Sequence, residues 1–300
     1  MPGAAPRSAA TRRGRIPLAP DTPATAIRHP ARPRAAARSP GCRRAVPPTR
    51  AHPPRTEVSA APRHSAPTRS AILEPSAHPR RVIVLAAVVV VLVTVVGILL
   101  RGHPVDSAVS AWLNQAHVGL LGAVGSAVYA AFSPIPAIIE TTVLAALLWA
   151  YSRQLRVALT FGVTIAVTWV PSGILKEIIG RPRPDAATLP HPFDPAQLDP
   201  SYPSGHTVYA TALVVALVLL AGRTRWRVPA LVGGTLLILV VGVSLSVDAV
   251  HYPTDVLASI AWGLAVAPAA RLLVLVVLAK LPWWRTPGAR GVQPEESSRT

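Results

Sequence analysis

Three short stretches of this 300-residue chain hold the residues that could do chemistry. Tyr202-Pro203-Ser204-Gly205-His206 is a proline-marked turn that opens onto an apolar run. At the head of a helix, such a turn presents backbone N–H donors, a hydroxyl and an imidazole to one anion. Taken alone it is equally an ordinary turn before a helix. The second stretch, KEIIGRPRP, closes another apolar run with Lys176, Arg181 and Arg183. Lysine is scarce here, two against twenty-eight arginines. Lys280 is accounted for as an interfacial residue at a helix end. Lys176 could be another such anchor, but with two arginines beside it the cluster also suits an anion site. The third stretch is VDAVHYPTDVLA. If a helix starts near Pro253, a favoured first-turn residue, His251 and Asp255 lie four apart and meet on one face. An aspartate accepting from one ring nitrogen fixes the tautomer and leaves the other nitrogen a better nucleophile or base. A plain helix cap is the competing reading of that pair. Together the stretches supply a nucleophile with its orienting acid, a second imidazole and cationic clamps, the parts of a phosphoryl-transfer site.

The rest of the chain must bring these parts together. Hydrophobic residues make up 51% of the chain, yet its formal net charge is +17. Those properties belong to different regions. Residues 1–81 hold sixteen arginines and sixteen prolines against Asp21, Glu57 and Glu74. With little apolar surface to offset ordering entropy, and proline too frequent for a helix, this segment is expected to be a disordered cytoplasmic tail. Its charge suits anionic lipid headgroups beside a membrane segment, and no nucleic-acid partner is expected. Cys42 is the single cysteine, which excludes an intramolecular disulfide framework and a cysteine zinc site.

Val82 to Leu100 runs nineteen residues without a charge or proline, long enough to cross a hydrocarbon core of roughly 30 Å. Five further spans follow: Ile135 to Tyr151, Leu155 to Leu175, Thr207 to Ala221, Val228 to Val247, and Asp255 to Leu278. Residues 102–133 are mixed, and are expected to form an amphipathic helix along the outer interface. Arg80 and Arg81 place the N-terminus in the cytoplasm; the turns carrying Arg153 with Arg156, and Arg223 with Arg227, then fall on the same side. A seventh span at Val118 to Phe132 would put both turns outside, so six are preferred. The expectation is an all-α, six-helix membrane bundle over 82–281, with a cytoplasmic tail at 282–300. Lys176, His206 and His251 then all emerge on the outer face of the cell membrane.

Lys176 followed by Arg183-Pro184, then Pro203-Ser204-Gly205-His206, then Ser244, His251 and Asp255 at fixed spacing, resembles the three signatures of the type-2 phosphatidic acid phosphatase superfamily. The likeness covers about Val82 to Leu281. It implies that His251 attacks phosphorus to form a phosphohistidine, that Asp255 orients it, and that His206 protonates the leaving oxygen. Lys176, Arg183, Ser204 and the Gly205 N–H would hold the phosphoryl oxygens, with Arg181 a lesser binding candidate. No metal or other cofactor is implied, and the substrate would be a membrane lipid phosphate or polyprenyl diphosphate. The superfamily's vanadate-dependent oxidation chemistry is disfavoured, because its soluble members lack six spans.

One position departs from the pattern. The third signature carries arginine directly after its serine, where this chain has Leu245. Losing a charge that grips a transferring phosphoryl group can cost several kcal/mol of transition-state stabilisation. The alternatives are compensation by Arg181, a slow or redirected enzyme, or a lipid-phosphate binding or transport protein on the same scaffold. Asp248 adds negative charge three residues before His251. Glu140, roughly two turns into the second span, is equally a functional acid or a partner for the basic site. The loop from Asp185 to Ser201 reads as a solvated connection more than a lid.

Overall fold

The protein is described by a computed structural model that covers residues 70–103 and 105–281. Its described residues form eight α-helices and no strand. These are α1 (Pro79–Arg101), α2 (Ser107–Asn114), α3 (Gly119–Ala131), α4 (Pro134–Ser152), α5 (Leu155–Ile179), α6 (Gly205–Ala221), α7 (Arg227–Val247) and α8 (Pro253–Leu278). Each of the six expected spans is a helix, but five meet the length and hydropathy of a membrane crossing: α1, α4, α5, α7 and α8. α6 has 17 residues, which at about 1.5 Å each reach roughly 26 Å, short of the hydrocarbon thickness.

Burial explains how a short helix suffices. α6 is the axle of the bundle, packed against α5, α7 and α8, with most of its side chains buried. By contrast α1, at a mean hydropathy of 3.4, is 17% buried over its apolar window and turns Ile83, Leu85, Leu92 and Leu99 outward. An apolar face of this kind is at home in lipid, where the polar backbone is satisfied within the helix.

Two readings of the sequence change here. The single interfacial helix expected over 102–133 is two helices, α2 and α3, and the latter packs along α7. At 13 residues α3 is too short to cross. The tail expected to be disordered through residue 81 does not extend that far. A 3-10 turn at Ala71–Leu73 docks against α5 and α6, with Ile72 wholly buried, and α1 begins at Pro79. Arg271 of α8 holds that turn by donating to the carbonyls of Ile72 (2.9 Å) and Glu74 (2.7 Å). The remainder of the tail, Cys42 included, and the C-terminal segment from residue 282 lie outside the described residues.

Small residues set the depth of the central crossings, as expected where packing rather than water drives association. A methyl group added at Gly263 on α8 would stand 2.6 Å from the Cβ of Thr211 on α6, and one at Gly234 on α7 would stand 2.3 Å from Val214. Gly263→Val is therefore expected to force α6 and α8 apart at a cost of about 1–3 kcal/mol. Thermal unfolding of the detergent-solubilised protein, with a midpoint below that of the parent, checks it.

Candidate active site

Three helix ends meet at one end of the bundle, each terminated by its local sequence. α5 stops where Gly180, at φ 62°, adopts the left-handed conformation and donates its N–H to the Lys176 carbonyl. α6 starts at Ser204, whose Oγ accepts from the Thr207 N–H (3.4 Å) and hydroxyl (3.1 Å). α8 starts at Pro253, with Asp255 accepting from the Tyr252 N–H at 2.9 Å. The turns with Arg153 and with Arg223 lie at the opposite ends of these helices.

A cavity of about 460 Å3 lies between the end of α5 and the start of α6, lined by Lys176, Arg183, Asp199, Gly205 and His206 together with Tyr129, Trp169 and Val170. His206 and His251 face each other edge to face, ring centroids 6.1 Å apart. Neither ring nitrogen of His251 has a hydrogen-bond partner, nor does Nε2 of His206. His251 is fully buried, and burial pushes its imidazole well below the ordinary range, with the nearby Arg183 and Lys176 charges acting in the same direction. Burial thus favours the neutral ring, the form that can attack an electrophile.

Asp255 serves two of its suggested roles at once. His251 precedes the helix rather than sharing its face, so Asp255 caps the Tyr252 N–H while its Oδ2 stands 3.7 Å from His251 Nδ1. That is an ion-pair separation, longer than a hydrogen bond. The second oxygen of Asp255 accepts from Arg181 Nη1 at 2.5 Å.

Arg181 does not take the place expected of a phosphate clamp. It is 1% exposed, donates to Asp255, to Thr254 Oγ1 (2.7 Å) and to Asp106 Oδ1 (2.8 Å), and its guanidinium lies 4.1 Å over the Tyr252 ring. Asp106, at the start of α2, closes the network by accepting from Thr254 N (3.0 Å) and Oγ1 (2.6 Å). Burial opposes its charge, but the Thr254 bonds and Arg181 outweigh that and hold its pKa below the ordinary value. Nothing in the sequence marked Asp106 as a partner, since it lies 75 residues from Arg181 and 148 from Thr254. Replacing Arg181 with methionine strands two buried carboxylates. A loss of roughly 3–5 kcal/mol is expected, read as a large fall in unfolding midpoint.

Lys176 and Arg183 do converge. Lys176 Nζ forms an ion pair with Asp199 Oδ2, and Arg183 donates Nη2 to Asp199 Oδ1 (2.9 Å), Nε to the Asp199 carbonyl (2.9 Å) and Nη1 to the Val250 carbonyl (2.5 Å). The loop from Asp185 to Ser201 is thus more than a connection. It roofs the cavity, tied down where Tyr129 donates to Gln197 (2.6 Å), Asn114 donates to the His191 carbonyl (3.0 Å) and Phe193 packs on Tyr129 (4.8 Å). Tyr129 in turn lies on His206, centroids 4.5 Å apart, a neighbour that no motif singles out.

The other flagged residues are not among those that line the cavity. Leu245 is wholly buried with Ala210, Val241 and Val250, behind Tyr129 and Phe193. Glu140 accepts from Tyr209 Oη at 3.1 Å, one helix away from the clamp. Asp248 is buried against Gly125, where an added methyl would stand 2.1 Å from its Oδ1, and 3.6 Å from His117. Burial raises its pKa to about 6, with His117 pulling weakly the other way. The folded state thus holds this proton more tightly than the unfolded chain does, so the group weakens the fold as pH rises from about 4 to about 6 and continues to do so at neutrality. Asp248→Asn is expected to gain on the order of 1–2 kcal/mol at pH 7.5, and the gain should vanish by pH 4. Unfolding midpoints at the two pH values check this.

Residues 157–276 match the family described as the PAP2 superfamily. The fold is similar to the crystal structure of a transmembrane PAP2-type phosphatidylglycerolphosphate phosphatase from Bacillus subtilis, at 19% identity and a TM-score of 0.54, over 65% of this chain and 96% of that one. No curated protein sequence matches the chain.

Proposed function

We propose that this member of the PAP2 superfamily hydrolyses a lipid phosphate or diphosphate through a phosphohistidine. The observation that carries the reading is one cavity lined by His206 and the paired cations Lys176 and Arg183, with the buried His251 ring 6.1 Å from that of His206. His251 Nε2, which has no hydrogen-bond partner, attacks phosphorus; the P–O bond to the leaving group breaks, and His206 gives that oxygen a proton. Water then attacks the phosphohistidine, passing a proton back to His206 and releasing phosphate with His251 restored. Asp255 receives the Nδ1–H of His251 as positive charge grows on the ring. Lys176, Arg183, the Ser204 hydroxyl and the Gly205 N–H hold the equatorial oxygens, where preorganised charge lowers the barrier most.

The cavity wall suits a lipid. Trp169 and Val170 of α5 form part of it, and Val170 is 57% exposed on the membrane-facing side. A substrate can enter sideways with its chain still in the bilayer. Phosphatidylglycerol phosphate, phosphatidic acid and polyprenyl diphosphate all fit that description. The arginine turns at the far end of the bundle support a cytoplasmic N-terminus and a site at the outer face by the positive-inside rule. A second reading, a lipid-phosphate binder, is favoured by one observation: Leu245 puts an apolar side chain where the family carries an arginine, and Arg181 is engaged elsewhere.

The detergent-solubilised protein is expected to release phosphate from at least one of these lipids in the presence of EDTA. His251→Ala should abolish release, and His206→Gln should lower it by roughly 100- to 10,000-fold. Release that survives His251→Ala overturns the nucleophile assignment. Phosphate binding without release from any of the three lipids selects the binder.

A further inference from the structure

The two cations of the phosphoryl clamp already hold an anion, and it belongs to the chain itself. Asp199 sets one carboxylate oxygen on Lys176 and the other on Arg183, and its own carbonyl takes a further Arg183 N–H. The cations lie beneath, 12% and 9% exposed, while the Asp199 side chain above them is 48% exposed and lines the cavity. Any phosphoryl group that reaches both cations must first move this carboxylate. Two residues further on, Ser201 is fixed by bonds from its N–H to the Arg181 carbonyl (2.8 Å) and from its hydroxyl to the Pro182 carbonyl (3.0 Å). Asp199 is thus on a short tether that keeps it close when displaced.

Resting on the reading of Lys176 and Arg183 as the phosphoryl clamp, we propose that Asp199 determines specificity, as an internal competitor that yields to phosphate monoester or diphosphate ends and excludes phosphodiester headgroups. The discrimination follows from charge and tethering. A phosphodiester carries one negative charge shared by two free oxygens, the same as a carboxylate. It gains nothing in the exchange, and it faces a competitor whose tether gives it a local concentration of roughly millimolar or more. A phosphate monoester carries about −1.5 to −2 and three strong acceptor oxygens, enough to hold both cations and still reach the Ser204 and Gly205 donors. The carboxylate is a constant competitor: although burial opposes its charge, the Lys176 bond and the Arg183 charge hold its pKa at about 2. A site open sideways to a bilayer meets phosphodiester lipids continually, and without such a device they would occupy the clamp.

The test uses the full chain in detergent, with inorganic phosphate and phosphatidylglycerol mixed micelles as probes in calorimetric titrations. Asp199→Asn, which keeps the shape and removes the charge, is expected to bind phosphate at least tenfold more tightly. It should also let phosphatidylglycerol compete for the site, which the parent protein resists. Asp199→Glu should keep the discrimination. Unchanged phosphate affinity in Asp199→Asn, with no new competition by phosphatidylglycerol and an unfolding midpoint equal to the parent's, overturns the proposal. Phosphate binding that is indifferent to Lys176→Ala in both backgrounds overturns the clamp itself, and the proposal with it.

Discussion

The interaction on which the rest of the site depends is the buried guanidinium of Arg181, set between Asp255 and Asp106. It joins the end of α5 to the starts of α2 and α8, three places that no covalent connection keeps in register. A buried ion pair adds little net stability over well-packed apolar groups, but removing one member is costly. Its value here is geometric. Asp255 cannot rotate away from His251 while one oxygen is held by Arg181 and the other by the Tyr252 N–H. The partner of the proposed nucleophile is thus fixed before any ligand arrives, the condition under which polar groups stabilise a developing charge without reorganising.

That arrangement also bears on Leu245, which stands where the PAP2 superfamily pattern carries an arginine that Arg181 does not replace. Both terminal nitrogens of the Arg181 guanidinium are committed to Asp255, Thr254 and Asp106. The space that a side chain at 245 could command is filled by Tyr129 and Phe193, which close over the apolar cluster of Leu245, Ala210 and Val250. The positive potential at the cavity rests on Lys176 and Arg183. With two cations rather than three, one carboxylate can balance much of it, which is why the Asp199 contact carries weight in this chain.

The membrane sets the remaining constraints. α6 is short and central, so the site it caps is held by α5, α7 and α8 rather than by the lipid-facing helices. At the other end, Arg271 satisfies two carbonyls of the segment that leads into α1, tying the start of the membrane domain to its last helix. The fold is thus closed at both ends by an arginine that meets backbone or carboxylate oxygen, and in between by glycines at the helix crossings.

The sequence by itself determined the class of fold and named most of the residues of the candidate site. Nineteen uncharged residues from Val82 can satisfy their backbone in lipid only as a helix, and the order of apolar runs then carries Lys176, His206 and His251 to one end whatever the packing. Local chemistry marks the turns as well: Gly180 must end α5, Pro253 must begin α8, and Ser204 must cap α6. What only the tertiary structure decided was the partner of each charge. Arg181 and Arg183 are two residues apart and alike in type, yet one is buried against Asp255 and Asp106 while the other faces the cavity. Alternate residues leaving a helix end point to opposite sides, and which side holds the carboxylates depends on α2, 75 residues away. The same holds for Asp199, Tyr129 and Asp106, which carry no motif. Their roles arise because folding brings distant segments together, and electrostatic energy depends on separation in space, with no regard for separation along the chain.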